Sequence, residues 1–169
     1  LLIGRGGSTG FPKKNTYPLL NRPLMSYPLL AAKNSKYVDE VYVSSDSDEI
    51  LNIGKKLGAK SIARPSELAT NEATVESVFS HGYEHIKKKS NNKIEFLVIL
   101  MCNAVSVLPK TIDKGIEILR SKQNFDSAVT VSGYNMFSPI RARKIIEDGS
   151  LAPFVDFKNF NFKVDSNRQ

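Results

Sequence analysis

Short apolar or β-branched runs alternate with amphipathic helical stretches from Leu1 to Val131, and no other feature narrows the possible folds as far. Leu1-Leu2-Ile3 reads as the end of a buried strand. Ser26 to Ser35 reads as a short helix, with Ser26 as a cap and Pro28 tolerated in the first turn. Val38 to Ser45 is a β-branched strand. Asp46 to Leu57 is a helix with Ile50, Ile53 and Leu57 on one stripe and Gly58 at its end. A strand over Lys60 to Ala63 and a helix over Thr74 to Lys88 follow. Phe96 to Leu100, "FLVIL", is the unbroken apolar run expected of a central strand covered on both faces. A helix from Pro109 to Leu119 and a strand from Ala128 to Val131 complete the alternation. This order predicts an α/β fold, a mostly parallel sheet with helices on both faces. Beyond Pro139 the pattern changes: Glu147-Asp148-Gly149-Ser150 between apolar runs reads as a hairpin.

In such sheets ligands bind at the carboxyl ends of the strands. The segment after Ile3 lies there, and it reads Arg5-Gly6-Gly7-Ser8-Thr9-Gly10-Phe11-Pro12-Lys13-Lys14-Asn15. Backbone amides of a Gly-rich turn can converge on an anion, and Arg5 and Lys14 add positive charge to the Ser8 hydroxyl. Neither the P-loop pattern Gly-x-x-x-x-Gly-Lys-Ser/Thr nor the dinucleotide pattern Gly-x-Gly-x-x-Gly occurs here. On composition alone the loop reads equally as a triphosphate cradle or as a tight turn with basic surface residues.

Charge and cysteine content bound the remaining classes. The formal net charge of +7 favours anionic partners. The basic residues are scattered, the densest run Lys87-Lys88-Lys89 reads as a solvated helix end, and no base-reading motif points to nucleic acid. No apolar run reaches the roughly 18 residues of a membrane span, and no secretory leader is visible, so the expected location is cytoplasmic. A single cysteine, Cys102, excludes an internal disulfide. The opening without Met and the polar end after a Phe-rich segment lead to the expectation that both ends are cut.

Several ordered motifs resemble the sugar-acid cytidylyltransferases, the enzymes that make CMP-sialic acid and related CMP-activated sugars. "RGGSTGFPKKN" is similar to the family's Arg-Gly-Gly-Ser-Lys-Gly-x-Pro-x-Lys-Asn, and Asn21-Arg22-Pro23-Leu24 to the turn that follows it. Val38 to Asp46, Gly58-Ala59, Arg64 to Ala69, His81, Asp126 to Val131 and Arg168-Gln169 resemble further family segments, so the likeness runs along essentially the whole chain. It implies a Rossmann-like nucleotide-diphospho-sugar transferase fold. The nucleotide-binding α/β core would occupy 1–135, and a hairpin with a Phe-rich dimerisation extension 136–169.

The resemblance further implies CTP as nucleotide, Mg²⁺ as cofactor, and a homodimer. In the implied reaction the anomeric hydroxyl of a sialic-type 2-keto-3-deoxy sugar acid attacks the α-phosphate and pyrophosphate leaves. The alternatives are another sugar acid (ketodeoxyoctonate-like), a sugar phosphate, or a non-catalytic nucleotide-binding domain. Catalytic roles fall on Arg5, Lys14 and Arg168, and nucleotide binding on Gly6, Gly7, Ser8, Asn15, Arg64 and Thr74. Sugar binding falls on Met101, Cys102, Asn103 and Gln169. The acidic metal ligands of the family lie beyond residue 169, so no metal ligand is named.

The chain departs from the family at Thr9, where lysine is usual and Lys13 is a candidate substitute, at Asn71, where aspartate is common, and most at Met101 to Ser106. There the sialic acid enzymes carry Gln-Pro-Thr-Ser-Pro. Cys102 is read as a small residue lining the sugar pocket rather than a nucleophile, since a catalytic thiol needs a base and the only histidines, His81 and His85, sit together on a helix with Glu84. As metal ligands from one helix face they lack a third partner in view, so His81 is read as structural. Asp46 and Asp48 are read as loop and cap residues, and Phe154, Phe157, Phe160 and Phe162 as a dimer contact.

Overall fold

The computed structural model describes residues 1–7, 10–70, 72–90, 93–122, 124–131, 143–154 and 156. It divides into two compact units, Leu1–Ala128 and Val129–Gln169.

In the first unit the described elements are β1 (Leu2–Ile3), a small hairpin of β2 (Pro18–Leu19) and β3 (Arg22–Pro23), α1 (Ser26–Lys33), β4 (Tyr42–Ser45), α2 (Asp48–Lys56), β5 (Lys60–Ala63), α3 (Val75–Lys89), β6 (Leu100–Met101) and α4 (Pro109–Ser121). Strands β5, β4, β1 and β6 form one parallel sheet in that spatial order. Strand β1 is central, with Leu2 opposite both Val43 and Leu100.

Side-chain alternation along the strands divides the core in two. Leu2, Val43 and Cys102 point to one face, where they pack with Met25, Leu29, Ile50 and Leu51 from the α1 and α2 side. Leu1, Ile3, Tyr42 and Ile62 point to the other face and pack with Val78 and Ile86 of α3. A third cluster joins Ala31 and Ala32 of α1 to Ile112 and Ile116 of α4. The sheet is therefore covered on both faces, as the alternating sequence predicts.

Local chemistry explains the helix boundaries. α2 carries Asp48 and Glu49 in its first turn and Lys55 and Lys56 in its last, complementing the helix dipole. α3 is capped by Thr74, whose side chain accepts a hydrogen bond from the Ser77 amide at 3.2 Å. Pro109 opens α4 at a position where its missing N–H costs nothing. Gly54 lets α2 approach the sheet closely: a Cβ there would lie 2.8 Å from Val43 Cγ2. Asp113 of α4 accepts from the Ser35 hydroxyl at 2.6 Å and the Lys36 amide at 3.1 Å, tying the end of α1 to α4.

Three expectations need correction. The "FLVIL" run pairs only at Leu100–Met101 and only with β1, at the edge of the described sheet. It is half-buried rather than fully buried. The run is apolar because both its faces are covered: Ile94 and Leu97 pack toward α3, and Phe96, Val98 and Leu100 toward α4. Apolarity reports covered faces, not paired edges. Residues 128–131 form no strand; no described segment pairs with them, and Val129 and Val131 stand 79% and 84% exposed. The Val38 to Ser45 strand begins only at Tyr42, where the ladder to β5 starts.

In the second unit β7 (Arg143–Ile145) and β8 (Leu151–Pro153) pair antiparallel. Gly149, at φ 81°, and a bond from the Ser150 amide to Asp148 Oδ1 at 2.8 Å form the turn between them, the expected hairpin. Phe157, Phe160 and Phe162 lie outside the described residues.

Candidate active site

A cleft of about 480 Å³ opens at the carboxyl edge of the sheet, above the ends of β1 and β6. Its walls are the Gly-rich loop (Arg5, Gly10, Phe11, Lys14, Asn15), Arg64 after β5, the segment into α3 (Leu68, Thr70, Ala73, Val75, Val78), and Met101 and Asn103 after β6. This volume lies within the range of small-molecule sites. The lining is cationic: Arg5, Lys14 and Arg64 face it, and no carboxylate lines it among the described residues.

The loop after β1 is held from several sides. The Gly4 amide donates to the Ser44 carbonyl at 3.2 Å. Asn15 is buried, and its Nδ2 donates to the Arg5 carbonyl at 3.0 Å, while its own carbonyl accepts from the Met25 amide at 2.9 Å. The Gly6 amide donates to Asp46 Oδ1 at 3.0 Å, and Arg5 Nη1 donates to the Thr70 carbonyl at 3.3 Å. Close packing explains two glycines. A Cβ on Gly4 would lie 2.5 Å from Cys102 Sγ and 3.1 Å from Asn15 Nδ2, and one on Gly6 would lie 3.0 Å from Ser47 Cβ.

Arg64 is a buried cation beside the cleft. Its Nη2 donates to the Ser44 carbonyl at 2.7 Å and its Nε to Ser44 Oγ at 3.4 Å. Burial lowers its pKa, with Asp46 and Cys102 acting in the opposite direction. A guanidinium carries five N–H donors, so donors remain beyond those given to Ser44.

The structure brings Arg5, Lys14, Asn15, Arg64, Met101 and Asn103 together around this cleft. Gly6 and Gly7 shape the loop but do not line the cleft. Ser8, Thr9, Asn71, Arg168 and Gln169 lie outside the described residues. Three expectations change. Cys102 does not line the cleft: strand alternation places Met101 and Asn103 toward it and turns Cys102 into the core, 1% exposed beside Leu2 and Met25. Burial pushes its thiol up to about 12, so it is neither a ligand nor a nucleophile. Thr74 spends its hydroxyl capping α3, and its neighbours Ala73 and Val75 line the cleft instead. Asn15 keeps its place in the cleft and also fixes the loop, giving one hydrogen of its amide nitrogen to the Arg5 carbonyl. Lys13, the candidate substitute at the Thr9 position, adopts a left-handed backbone at φ 55° and pairs with Glu49 at 3.8 Å outside the cleft.

Sequence reasoning overlooked Phe11 and Thr70, and read Asp46 as a loop residue without its partner. Phe11 packs against Tyr17 in a tilted ring contact, centroids 4.9 Å apart and planes at 56°, at the rim of the cleft. Its place directly after Gly10 was the available signal. Thr70 and Asp46 act through long-range hydrogen bonds that no local pattern announces. His81 and His85 do not line the cleft, and among the described residues no group of three or more His, Cys, Asp or Glu side chains could hold a metal ion. The cleft therefore offers Mg²⁺ no set of protein ligands among the described residues. No helix among them is long and apolar enough to cross a membrane.

Known proteins resemble this chain in sequence and in fold. The chain is 30% identical over 161 residues to the Helicobacter pylori protein named pseudaminic acid cytidylyltransferase and UDP-2,4-diacetamido-2,4,6-trideoxy-beta-L-altropyranose hydrolase, covering 94% of this chain and 30% of that one. It is 29% identical over 163 residues to a Campylobacter jejuni pseudaminic acid cytidylyltransferase, covering 95% of this chain and 68% of the relative. The chain thus spans about a third of the first relative and about two thirds of the second. A solved CMP:2-keto-3-deoxy-manno-octonic acid synthetase complexed with CTP shares the fold, with a TM-score of 0.57 at 18% identity over 73% of this chain and 47% of that one. The cytidylyltransferase family model matches residues 1–146, and the chain belongs to that family.

Proposed function

We propose that the chain transfers CMP from CTP to the anomeric hydroxyl of a nine-carbon 2-keto-3-deoxy sugar acid, releasing pyrophosphate. The observation that carries this reading is the cationic cleft at the sheet's carboxyl edge, with Arg5, Lys14 and Arg64 around it and Asn103 opposite the Gly-rich loop. Family membership and the names of the relatives support CTP and a sugar acid as substrates.

The barrier to this reaction is charge. A fully ionised triphosphate repels an oxygen nucleophile, and negative charge grows on pyrophosphate as the P–O bond lengthens. Arg5, held by the Thr70 carbonyl, and Lys14 neutralise phosphate charge in the cleft, which lowers the barrier. Arg64, anchored on Ser44, presents its remaining donors to the nucleotide. The sugar hydroxyl approaches from the Met101–Asn103 side and forms the new O–P bond as the bond to pyrophosphate breaks, its proton passing to solvent water and the leaving electron pair to pyrophosphate. Arg168, Ser8 and Gln169 belong to the same proposal. Mg²⁺ is implied by the resemblance alone, and the chemistry assigned here rests on the chain's own cations.

The sugar acid is proposed to be less polar than common sialic acid. Met101 lines the cleft where the sialic acid enzymes carry glutamine, so two donors and an acceptor are replaced by a thioether. A sugar group that relied on them loses about 1–3 kcal/mol when left unpaired.

The test is steady-state kinetics of Arg5→Ala, Lys14→Ala and Asn103→Ala. Each cation lost should cost about 1.5–3 kcal/mol in CTP binding or turnover, the value of a charge-assisted hydrogen bond. Asn103→Ala should lower kcat/KM for the sugar acid far more than it alters KM for CTP. Unchanged CTP binding and turnover in both cation variants would overturn the assignment.

A further inference from the structure

The C=O of Arg5 and the N–H of Gly6 belong to one peptide unit, and two side chains hold it from its two ends. Asn15 Nδ2 donates to the carbonyl at 3.0 Å and Asp46 Oδ1 accepts from the amide at 3.0 Å. These residues come from different parts of the chain: Asn15 closes the loop itself, whereas Asp46 directly follows β4. A peptide fixed at both ends cannot flip, and the side chain before it, Arg5, inherits that orientation.

Asp46 presents a puzzle that the clamp resolves. A carboxylate beside an anion site repels the ligand it adjoins. Asp46 does not line the cleft; it sits behind the loop, with one oxygen on the Gly6 amide and the other 3.7 Å from where a Gly6 Cβ would stand. Its repulsion is offset nearby by Arg64, on which it acts electrostatically. What it contributes to the ligand is therefore the shape of the loop.

We propose that Asp46 is a positioning residue for nucleotide binding: with Asn15 it clamps the Arg5–Gly6 peptide and holds Arg5 and the start of the Gly-rich loop in their binding orientation before the nucleotide arrives. This rests on the reading that the cleft binds CTP. An ordered loop spends less entropy on binding than one that must first be fixed.

The experiment compares the wild type, Asp46→Ala and Asp46→Asn by two readouts. The first is hydrogen exchange of the Gly6 amide in the nucleotide-free protein, read by NMR. The second is CTP binding by calorimetry, with KM for CTP and kcat measured alongside. Alanine removes the acceptor; asparagine keeps an oxygen that can take the same hydrogen bond. Asp46→Ala should exchange Gly6 faster and bind CTP about tenfold more weakly, the factor for one lost hydrogen bond. It should raise KM for CTP with kcat and melting temperature nearly unchanged. Asp46→Asn should restore both Gly6 protection and CTP affinity to within about threefold, since a neutral acceptor is weaker than a charged one.

Unchanged Gly6 exchange in Asp46→Ala, or an Asp46→Asn variant as impaired as the alanine, would overturn the clamp. So would loss of kcat with unaltered CTP affinity, which would place the carboxylate in the chemistry instead. A wild type that binds no CTP refutes the nucleotide assignment, while the exchange readout still decides the clamp.

Discussion

Gly4→Ala tests how tightly the floor of the cleft is packed. Gly4 follows β1 with a backbone that is not left-handed, so alanine meets no conformational penalty there and any cost is steric. An added Cβ would lie 2.5 Å from Cys102 Sγ, 2.9 Å from Cys102 Cβ and 3.1 Å from Asn15 Nδ2. The first two separations are shorter than real Cβ contacts, and Cys102 is buried where it cannot swing away. Forcing a methyl into a packed site costs about 1–3 kcal/mol. Stiffening the unfolded chain returns about 0.4–1 kcal/mol. The net loss is about 1–2 kcal/mol, which for a chain of this size lowers Tm by roughly 2–8 °C. Removing the sulfur in Gly4→Ala/Cys102→Ala relieves the closest contact but not the one to Cβ. The double variant should therefore be more stable than the sum of the single losses by about 1 kcal/mol, within the range of coupled neighbours. Urea denaturation of the four proteins measures this. A Gly4→Ala variant as stable as the wild type, or strict additivity with Cys102→Ala, would refute the packing argument.

Leu20 holds a left-handed backbone at φ 47° with its side chain 83% exposed; Leu20→Gly should raise stability by about 1 kcal/mol in thermal melts, since the strain goes and little packing is lost. Asp113→Ala removes the acceptor of Ser35 Oγ and the Lys36 amide, and should cost about 1–2 kcal/mol in chemical denaturation. The Cys102 thiol should resist iodoacetamide at pH 8 in the folded protein and react when the protein is unfolded. With a thiol at about 12 folded against 9.0 unfolded, the folded state keeps its proton longer. Stability from this group is present below pH 9.0 and falls as pH rises toward about 12. Phe154, Ile145 and Leu151 stand exposed on the hairpin of the second unit; the homodimer that the family resemblance implies should appear in sedimentation equilibrium and weaken in Phe154→Ser.

The parallel sheet was legible because burial on both faces leaves a strong record: β1, β5 and the stripe of α2 are written in residue type. Pairing was less legible. "FLVIL" is apolar for the sake of its faces, and nothing local states that only one edge is paired. Within the site, Arg5, Lys14 and Arg64 were legible from charge beside glycine and from the family resemblance. Met101 and Asn103 followed from the end of a strand. Cys102 was misplaced because a strand's period of two turns adjacent residues to opposite faces, and the register fixes which one meets the cleft. Thr74 carried a cap signal, a hydroxyl directly before a helical stripe, which the structure makes its role. Asp46 and Thr70 were invisible as loop anchors because their partners lie 40 and 65 residues away.

The most direct test of the account is pyrophosphate release by the full-length protein across the four ribonucleoside triphosphates, each paired with a panel of 2-keto-3-deoxy sugar acids. The panel should range from common sialic acid to nine-carbon acids with fewer hydroxyls and to an eight-carbon acid. The account expects release with CTP alone among the nucleotides, and a higher kcat/KM for a less polar nine-carbon acid than for common sialic acid. Release with another nucleotide at equal efficiency, or with no sugar acid of the panel, would contradict it.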